Sequence, residues 1–398
     1  MILVAFGAGM MASGHIGKLP AALPMIRADL ALDLITAGWV VSIFNATTIA
    51  LGMLAGVFAD RLGHRRVILL SLLMLAIGSL WGAMASSGFT LLLARFAEGI
   101  GFVGVVVAAP SIIANAAHSR DRRFALGIWG AFMSAGMATM LLLAPVILVP
   151  YGWRGLWLVV AAITALWAAV TWLLLRHFDP SGGGLRSTPD TASQDTGWTQ
   201  DIRLTLAQPG LWILALTFGF YTLLWMALMV WLPTFLIEQR GATVALAAQL
   251  TVVVIIVNLV GNLLGGWLLQ RGLSRWQLLV FVGLLAIACG LGIFTNELPD
   301  GLRYGLCILF SCLAGMLPAT VMSGAPAFTP SPRQIGAANG LLVQGSNLGQ
   351  LSGPPLIATL VAYTGGWQAG SWIFVACGTI ILLLAAALRW LEAKPRTS

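Results

Sequence analysis

The sequence predicts an all-α integral membrane protein with twelve transmembrane helices in two pseudo-symmetric six-helix bundles. Of its 398 residues, 59% are hydrophobic and only 9% are charged, whereas about a quarter of a soluble domain is charged. Apolar runs of roughly 20 residues, long enough to cross the hydrocarbon core, recur from end to end. The runs are continuous, and membrane-spanning strands would be short and alternating, so we expect helices with lipid as their solvent.

The apolar runs divide the chain into two sets of six predicted helices. The first set is 2–26, 35–58, 66–86, 90–116, 124–149 and 154–177. The second set is 209–237, 244–269, 275–295, 302–328, 335–362 and 367–391. Residues between the sets are rich in Gly, Ser, Thr, Asp and Gln, which is typical of a flexible linker. The predicted domains are therefore an N-terminal bundle at 1–177, a cytoplasmic linker at 178–207, and a C-terminal bundle with a short cytoplasmic tail at 208–398.

The two sets of helices share residues in one order and at one offset. Leu23-Pro24 matches Leu232-Pro233, and Gly152-Trp153 matches Gly366-Trp367. A constant offset of about 210 residues indicates a duplicated bundle. In transporters, such repeats place the solute site near the bilayer midplane, between the halves.

The Lys and Arg residues predict the orientation. Lys18 and Arg95 lie in the interior of predicted helices, and the other 19 lie in loops or near helix ends, 15 on one face and four on the other. The four are Arg27, Arg154, Arg240 and Arg303. Because cytoplasmic loops carry the excess of positive charge, we expect both termini in the cytoplasm. The expected location is a bacterial cytoplasmic (inner) membrane.

Several other functions are disfavoured. The net charge of +8 is scattered over short loops, so we expect no nucleic-acid partner. There is no His-Glu-x-x-His zinc helix and no Gly-x-Ser-x-Gly elbow, so we expect no enzyme, metal or cofactor. The four cysteines lie in apolar runs without metal-ligand spacing, which favours a packing role.

Four ionisable side chains lie in the interior of predicted helices, away from their ends, where such residues are expensive and often functional. His15 and Lys18 lie in helix 1, and Arg95 and Glu98 lie in helix 4. Each pair is three residues apart, so each shares one helix face. Alternatives remain open: Arg95 and Glu98 could only neutralise each other, Lys18 could snorkel outward, and His15 could be a packing residue.

The charge of these residues predicts the solute. Lys18, Arg95 and Glu98 sum to +1, or to +2 if His15 or Glu98 is protonated. A cationic site in a medium of low dielectric constant favours an anion. We therefore predict that Lys18 and Arg95 bind a small anion, with His15 as a further ligand. Glu98 or His15 would carry a coupling proton.

The second half offers neutral polar and aromatic side chains instead. Such groups suit a small solute with a partly apolar body, and they can equally serve as hydrogen bonds between helices. The candidates are Tyr221, Trp225, Asn258, Asn262, Gln344, Asn347 and Gln350.

A charged turn between helices 2 and 3 carries a family resemblance. It reads Gly56-Val-Phe-Ala-Asp60-Arg61-Leu-Gly63-His64-Arg65-Arg66. This resembles the loop signature of the major facilitator superfamily, Gly-x-x-x-Asp-Arg-x-Gly-Arg-Arg/Lys-Arg/Lys, from which His64 departs. Gly63 permits a tight turn. The resemblance implies the major facilitator fold and a conformational latch, whose residues would be Gly56, Asp60, Arg61, Gly63, Arg65 and Arg66.

Helix 4 strengthens the resemblance. Its Arg95-Phe-Ala-Glu98-Gly99 run is similar to the family's Arg-x-x-Gln-Gly signature. The resemblance implies that Arg95 lies near a cavity lined by helices 1, 4, 7 and 10. More narrowly, Gly17-Lys18-Leu-Pro20 and Gly152-Trp-Arg-Gly155 look similar to the cyanate-permease-like branch, which would favour small anions.

A glycine pattern bears on the competing function. Gly340-x8-Gly349-x3-Gly353-Pro354 has the spacing of the family's antiporter signature, but it lies on helix 11. Helix 5, where drug–proton antiporters carry that signature, has Met140-Leu141 in place of Gly-Pro. Alternatively, these glycines let helices 8 and 11 pack closely.

The resulting prediction is a secondary active transporter that moves a small anionic solute by alternating access, as a proton-coupled symporter and as a monomer. The alternative is proton-driven efflux of drugs or other hydrophobic compounds. A receptor would need a signalling domain, and a channel would need a filter-like loop, and neither is evident in the sequence.

Overall fold

The computed structural model describes residues 1–118, 121, 125, 129, 131–175, 203–329 and 334–393. Within these ranges the side chains of 53, 54, 56–58 and 60 are outside the description. The described elements are helices joined by short turns.

The first half contains six helical segments. Four are α1 (Ile2–Asp29), α2 (Leu34–Leu62), α3 (His64–Ala83) and α4 (Gly88–Ala116). The next element, Phe132–Leu175, is 44 residues long and leaves helical geometry at Gly152, with φ 66° and ψ −176°. Glycine adopts positive φ readily, so we treat the two arms as α5 (132–151) and α6 (153–175).

The second half repeats this order. It contains α7 (Pro209–Arg240), α8 (Val244–Gln270), α9 (Arg275–Phe294), α10 (Asp300–Phe328), α11 (Ile335–Thr364) and α12 (Gly370–Ala393). The α10 span consists of the segments Asp300–Ala314, Met316–Met322 and Ala325–Phe328. A short 3₁₀ turn, Trp367–Ala369, precedes α12.

The length and composition of these helices fit a membrane. Ten described elements are long and apolar enough to cross one, and the 44-residue element among them supplies two crossings. The remaining helix, α11, has the length to span at 30 residues but is less apolar. The prediction of an all-α protein with twelve transmembrane helices is confirmed.

The chain divides into two compact units. The first lies within Met1–Arg186 and Met229–Val252, and the second within Ser187–Leu228 and Val253–Ser398. The chain therefore returns to the first unit partway along α7, at Met229, and leaves it again in α8, after Val252. Most of the predicted linker at 178–207 is outside the described residues, and the three-part division made from the sequence stays a prediction.

Glycine contacts join the first and fifth helix of each half. A Cβ atom on Gly17 of α1 would lie 2.7 Å from the carbonyl oxygen of Met137 on α5. On α11, a Cβ at Gly345 would collide with the backbone of Ala215 on α7. A Cβ at Gly349 would also collide with the α7 backbone. Small residues allow this approach of two backbones. The alternative that the glycines of the antiporter-like pattern pack against helix 8 is wrong for Gly349 and Gly353, which both face α7.

Two turns depend on positive φ. Gly63, with φ 86°, ends α2 and begins α3, as expected for a tight turn. Gly365, with φ 73°, ends α11, whereas Gly366 is extended at φ −156°. The first half therefore breaks at the single residue Gly152, whereas the second half breaks at the pair Gly365-Gly366.

Candidate functional site

A fully buried cluster of charged side chains lies in the first unit. His15 and Lys18 come from α1, Arg95 and Glu98 come from α4, and all four residues have 0% exposure. The Oε1 atom of Glu98 lies 2.6 Å from Lys18 Nζ and 3.3 Å from His15 Nδ1. Its Oε2 atom accepts a hydrogen bond from Arg95 Nη1. The carboxylate is therefore shared by two cationic side chains.

Helix α3 closes the cluster from one side. Lys18 Nζ donates to Ser79 Oγ at 2.8 Å, and Ser79 Oγ donates to the Trp157 carbonyl on α6 at 2.9 Å. The preceding residue, Gly78, leaves room for the carboxylate, since a Cβ there would lie 2.8 Å from Glu98 Cγ. The ammonium group also lies 4.3 Å from the centroid of the Trp157 ring, a cation–π contact. Lys18 thus points into the bundle, and the snorkelling alternative is wrong.

Arg95 is bound mainly by backbone carbonyls. Its Nη1 donates to the His15 carbonyl at 2.8 Å, and its Nε donates to the Val40 carbonyl on α2 at 3.4 Å. The guanidinium group lies 4.7 Å from the Phe44 ring centroid. Its Nη2 atom has no hydrogen-bond partner among the described residues. Arg95 therefore joins three helices while retaining one unused donor.

His15 connects the cluster to α6. Its Nε2 is hydrogen-bonded to Thr164 Oγ1 at 3.0 Å, and its Nδ1 lies 3.3 Å from Lys18 Nζ. Both ring nitrogens are engaged, so the packing role and the site role considered for this residue are compatible.

The electrostatics of the cluster depend on Glu98. With Lys18 and Arg95 charged and Glu98 ionised, the cluster carries +1. A buried charge without a counter-ion is strongly unfavourable, so the single carboxylate is what lets both cations remain inside the bundle. Neutralising it would raise the charge to +2. The zero exposure also means that a solute reaches neither cation unless the surrounding helices move.

A neutral polar cluster lies in the second unit. Asn258 Nδ2 of α8 donates to Tyr221 Oη at 3.0 Å and to the Ser311 carbonyl at 2.8 Å. Trp225 Nε1 donates to Ser311 Oγ at 3.2 Å, and that hydroxyl donates to the Val254 carbonyl at 2.6 Å. The structure therefore joins three of the predicted residues, Tyr221, Trp225 and Asn258, through hydrogen bonds within one unit.

The other predicted residues of the second half do not take part in the hydrogen bonds of this cluster. Asn262 is half-buried on α8. On α11, Gln350 Nε2 donates to Ser346 Oγ at 3.2 Å. Gln344 Oε1 and Asn347 Nδ2 are buried atoms with no hydrogen-bond partner in the described part of the chain.

Sequence reasoning missed the neutral partners of both clusters. Ser79 and Thr164 anchor Lys18 and His15, Trp157 covers the ammonium, and Ser311 links Trp225 to Asn258. The only sign of these partners in the sequence was a Ser, Thr or Trp within an apolar run. Most such side chains form hydrogen bonds to the backbone of their own helix, so this sign does not identify a partner on another helix. The spacing within one helix cannot indicate which neighbour they meet.

The turn after α2 is only partly described. Arg61 and Arg66 are exposed, and Arg65 has interactions within the structure. The surroundings of Gly56 and the side chain of Asp60 fall outside the description, so the latch stays a prediction. Among the residues described, no group of His, Cys, Asp and Glu could hold a metal ion.

Comparisons with known proteins identify the family. A family model described as Major Facilitator Superfamily matches residues 1–333. A proposed niacin/nicotinamide transporter of Bacillus subtilis is 26% identical over 365 residues, covering 88% of this chain and 85% of that protein. A hexuronate transporter of the same species is 22% identical over 404 residues, covering 98% and 94%.

A solved structure supports the fold. It is a bacterial homologue of the human lysosomal transporter Spinster, in an inward-facing and unoccupied conformation. The TM-score is 0.85 at 20% sequence identity, covering 100% of this chain and 98% of that one. The narrower cyanate-permease-like assignment is not confirmed by these matches and stays a prediction. The chain belongs to the major facilitator superfamily, and it is a multi-pass membrane protein that acts as a secondary transporter and not as an enzyme.

Proposed function

We propose that this transporter moves a small organic anion together with a proton, by alternating access, across a bacterial cytoplasmic membrane. The observation that carries the proposal is the sharing of one buried carboxylate, Glu98, by Lys18 and Arg95. The proposed orientation places both termini in the cytoplasm, in agreement with the distribution of Lys and Arg along the sequence.

The charge arrangement links the proton to the anion. When Glu98 accepts a proton, Lys18 and Arg95 lose their counter-ion, and two buried cations in a medium of low dielectric constant attract a replacement negative charge. An anion bound there supplies it. Loss of the anion in turn favours ionisation of Glu98. Proton and anion therefore stabilise each other's binding, which is the requirement for symport.

Burial supports alternating access. The four ionisable residues have 0% exposure, so binding in this proposal uses a second conformation in which Lys18 and Arg95 meet the solute. In this proposal the turn with Arg61, Gly63 and Arg65 acts as the latch that stabilises one of the conformations.

Two of the relatives agree with a carboxylate as the anionic group. One is named for niacin and nicotinamide and another for hexuronate; niacin and hexuronates each carry a single carboxylate, whereas nicotinamide is neutral. A carboxylate also matches the chemistry of the proposed ligands, because Lys and Arg donate charge-assisted hydrogen bonds to its oxygens.

The test is uptake of labelled glucuronate into proteoliposomes under an imposed inward proton gradient. Lys18→Ala and Arg95→Ala should each lower uptake by about tenfold or more, since the loss of a buried charge contact costs that much or more. Arg303→Gln is the control, because it removes another buried guanidinium, bonded to the Ile293 carbonyl in the second unit. It should transport normally.

Two results would contradict the proposal. One is wild-type uptake by both Lys18→Ala and Arg95→Ala. The other is outward movement of a hydrophobic dye, driven by the same gradient, without anion uptake. Glu98→Gln should separate coupling from binding: it should lose accumulation driven by the proton gradient while still exchanging labelled for unlabelled solute.

A further inference from the structure

Helix α11 carries two amide side chains whose hydrogen-bonding capacity is unused. Asn347 is 7% exposed, and its Nδ2 donor has no partner among the residues described. The Oε1 acceptor of Gln344, one turn earlier, is likewise buried and unpartnered. The rest of this polar helix is better satisfied, since Gln350 bonds to Ser346.

The packing of α11 determines where these amides point. Gly345 and Gly349 meet the backbone of α7, so that face of the helix is occupied by main chain. At about 100° per residue, Asn347 projects about 200° away from both glycines. Gln344 lies three residues before Asn347 and therefore shares its side of the helix. Asn347 thus faces away from α7, whereas Gln344 lies about 60° from Asn347 and about 100° from Gly345. No described side chain satisfies the unpartnered atom of either amide.

An unsatisfied buried polar atom requires an explanation. It costs folding stability, and few occur in native proteins. A helix that only had to pack would be more stable with leucine at either position. The contrast with Asn258 is informative, because that amide is bonded to Tyr221 and Ser311 and so has a structural role. Asn347 Nδ2 and Gln344 Oε1 have no such partner within the described part of the chain, which leaves these two atoms available to a ligand.

We infer that Gln344 and Asn347 bind a hydroxyl group of the transported solute, which is then a hydroxylated carboxylate and not a simple inorganic anion. The anionic part of this statement rests on the function proposed above. A hydroxyl both donates to an amide oxygen and accepts from an amide nitrogen, so it pairs with these two side chains whichever way each amide is turned. Nitrate and cyanate have no donor and would leave the Gln344 acceptor unpaired.

The test compares matched acids by the change in melting temperature of the purified protein. The pairs are 4-hydroxybenzoate with benzoate and lactate with propionate, and nitrate and glucose are tested beside them. A site built to bind a hydroxyl strongly rejects the analogue that lacks it. We therefore expect at least one hydroxy acid to bind about tenfold or more tightly than its deoxy partner. Gln344→Leu and Asn347→Leu should abolish this difference, whereas the control Gln368→Leu, at an exposed amide before α12, should retain it.

The outcomes are distinct. The inference is overturned if no hydroxy acid exceeds its partner, if nitrate binds as well as the hydroxy acids, or if the preference survives Asn347→Leu. If glucose binds and depends on Asn347 while the acids do not, the hydroxyl site stands and the anion proposal fails.

A measurement without any ligand adds an independent test. If the Asn347 donor is unpartnered, Asn347→Leu should melt no lower than the wild type, because it removes an unsatisfied buried group. A melting temperature several degrees lower would assign Asn347 a structural partner and overturn the inference.

Discussion

Replacing Lys18 by Met should have opposite effects on stability in two backgrounds. In the wild type it removes a cation bonded to Glu98 Oε1 at 2.6 Å and should destabilise the protein. In Glu98→Gln it removes one of two buried cations that no longer have a counter-ion, and it should raise stability. The sign change follows from the sharing of one carboxylate by Lys18 and Arg95.

The magnitudes follow from the charge count. Removing one partner of a buried pair costs about 3–5 kcal/mol, and Glu98 is the partner of two cations, so Glu98→Gln should lie at or above the upper end of this range. Lys18→Met leaves the Arg95–Glu98 pair intact and should cost less, about 1–3 kcal/mol. The double variant again carries +1, the wild-type charge, so it should be more stable than Glu98→Gln alone.

The assay is tryptophan-fluorescence melting of the four proteins in one detergent, treated as a double-mutant cycle. An exposed pair provides the control cycle: Arg154 and Asp29 are 43% and 42% exposed, and such pairs contribute about 0–1 kcal/mol. If Lys18→Met lowers the melting temperature equally in both backgrounds, the shared-carboxylate reasoning is refuted.

Three further predictions concern packing and turns. Asp33 accepts a hydrogen bond from the Thr36 amide at 2.7 Å at the start of α2, so Asp33→Ala should cost about 1 kcal/mol by melting at pH 7, and Asp33→Asn much less. The bonds from Thr36 lower the pKa of Asp33, so this contribution should be present at neutral pH and decline as acid protonates the carboxylate, which melting at pH 3–4 would measure. Gly349→Ala should abolish monodisperse expression, because its Cβ would collide with α7, whereas Gly336→Ala has open space and should be tolerated. Gly63→Ala should cost about 1–2 kcal/mol in melting experiments, because φ is 86° there.

The sequence was sufficient for the fold because each helix carries its own signal. Lipid requires long apolar stretches whatever their neighbours are, so the predicted helix 90–116 is close to α4, Gly88–Ala116. The least apolar span, α11, was also predicted, at 335–362 against Ile335–Thr364. The matched pairs Gly152-Trp153 and Gly366-Trp367 each lie at the break before the sixth helix of their half.

The site was less predictable because it depends on contacts between helices. The spacing of Arg95 and Glu98 indicated one helix face, but it could not indicate that Lys18 shares the same carboxylate. It also could not separate the bonded Asn258 from the unpartnered Asn347, since both are amides in apolar helices.

The sequence by itself determined the class of protein, the number of helices and the presence of buried charge, because hydropathy and charge are local properties of each segment. Only the tertiary structure decided how those charges are paired: Lys18 and Arg95 meet one carboxylate, and Ser79, Thr164 and Trp157 complete the cluster. Pairing depends on the distance between side chains on different helices, and that distance is determined by helix packing, which no single stretch of sequence encodes.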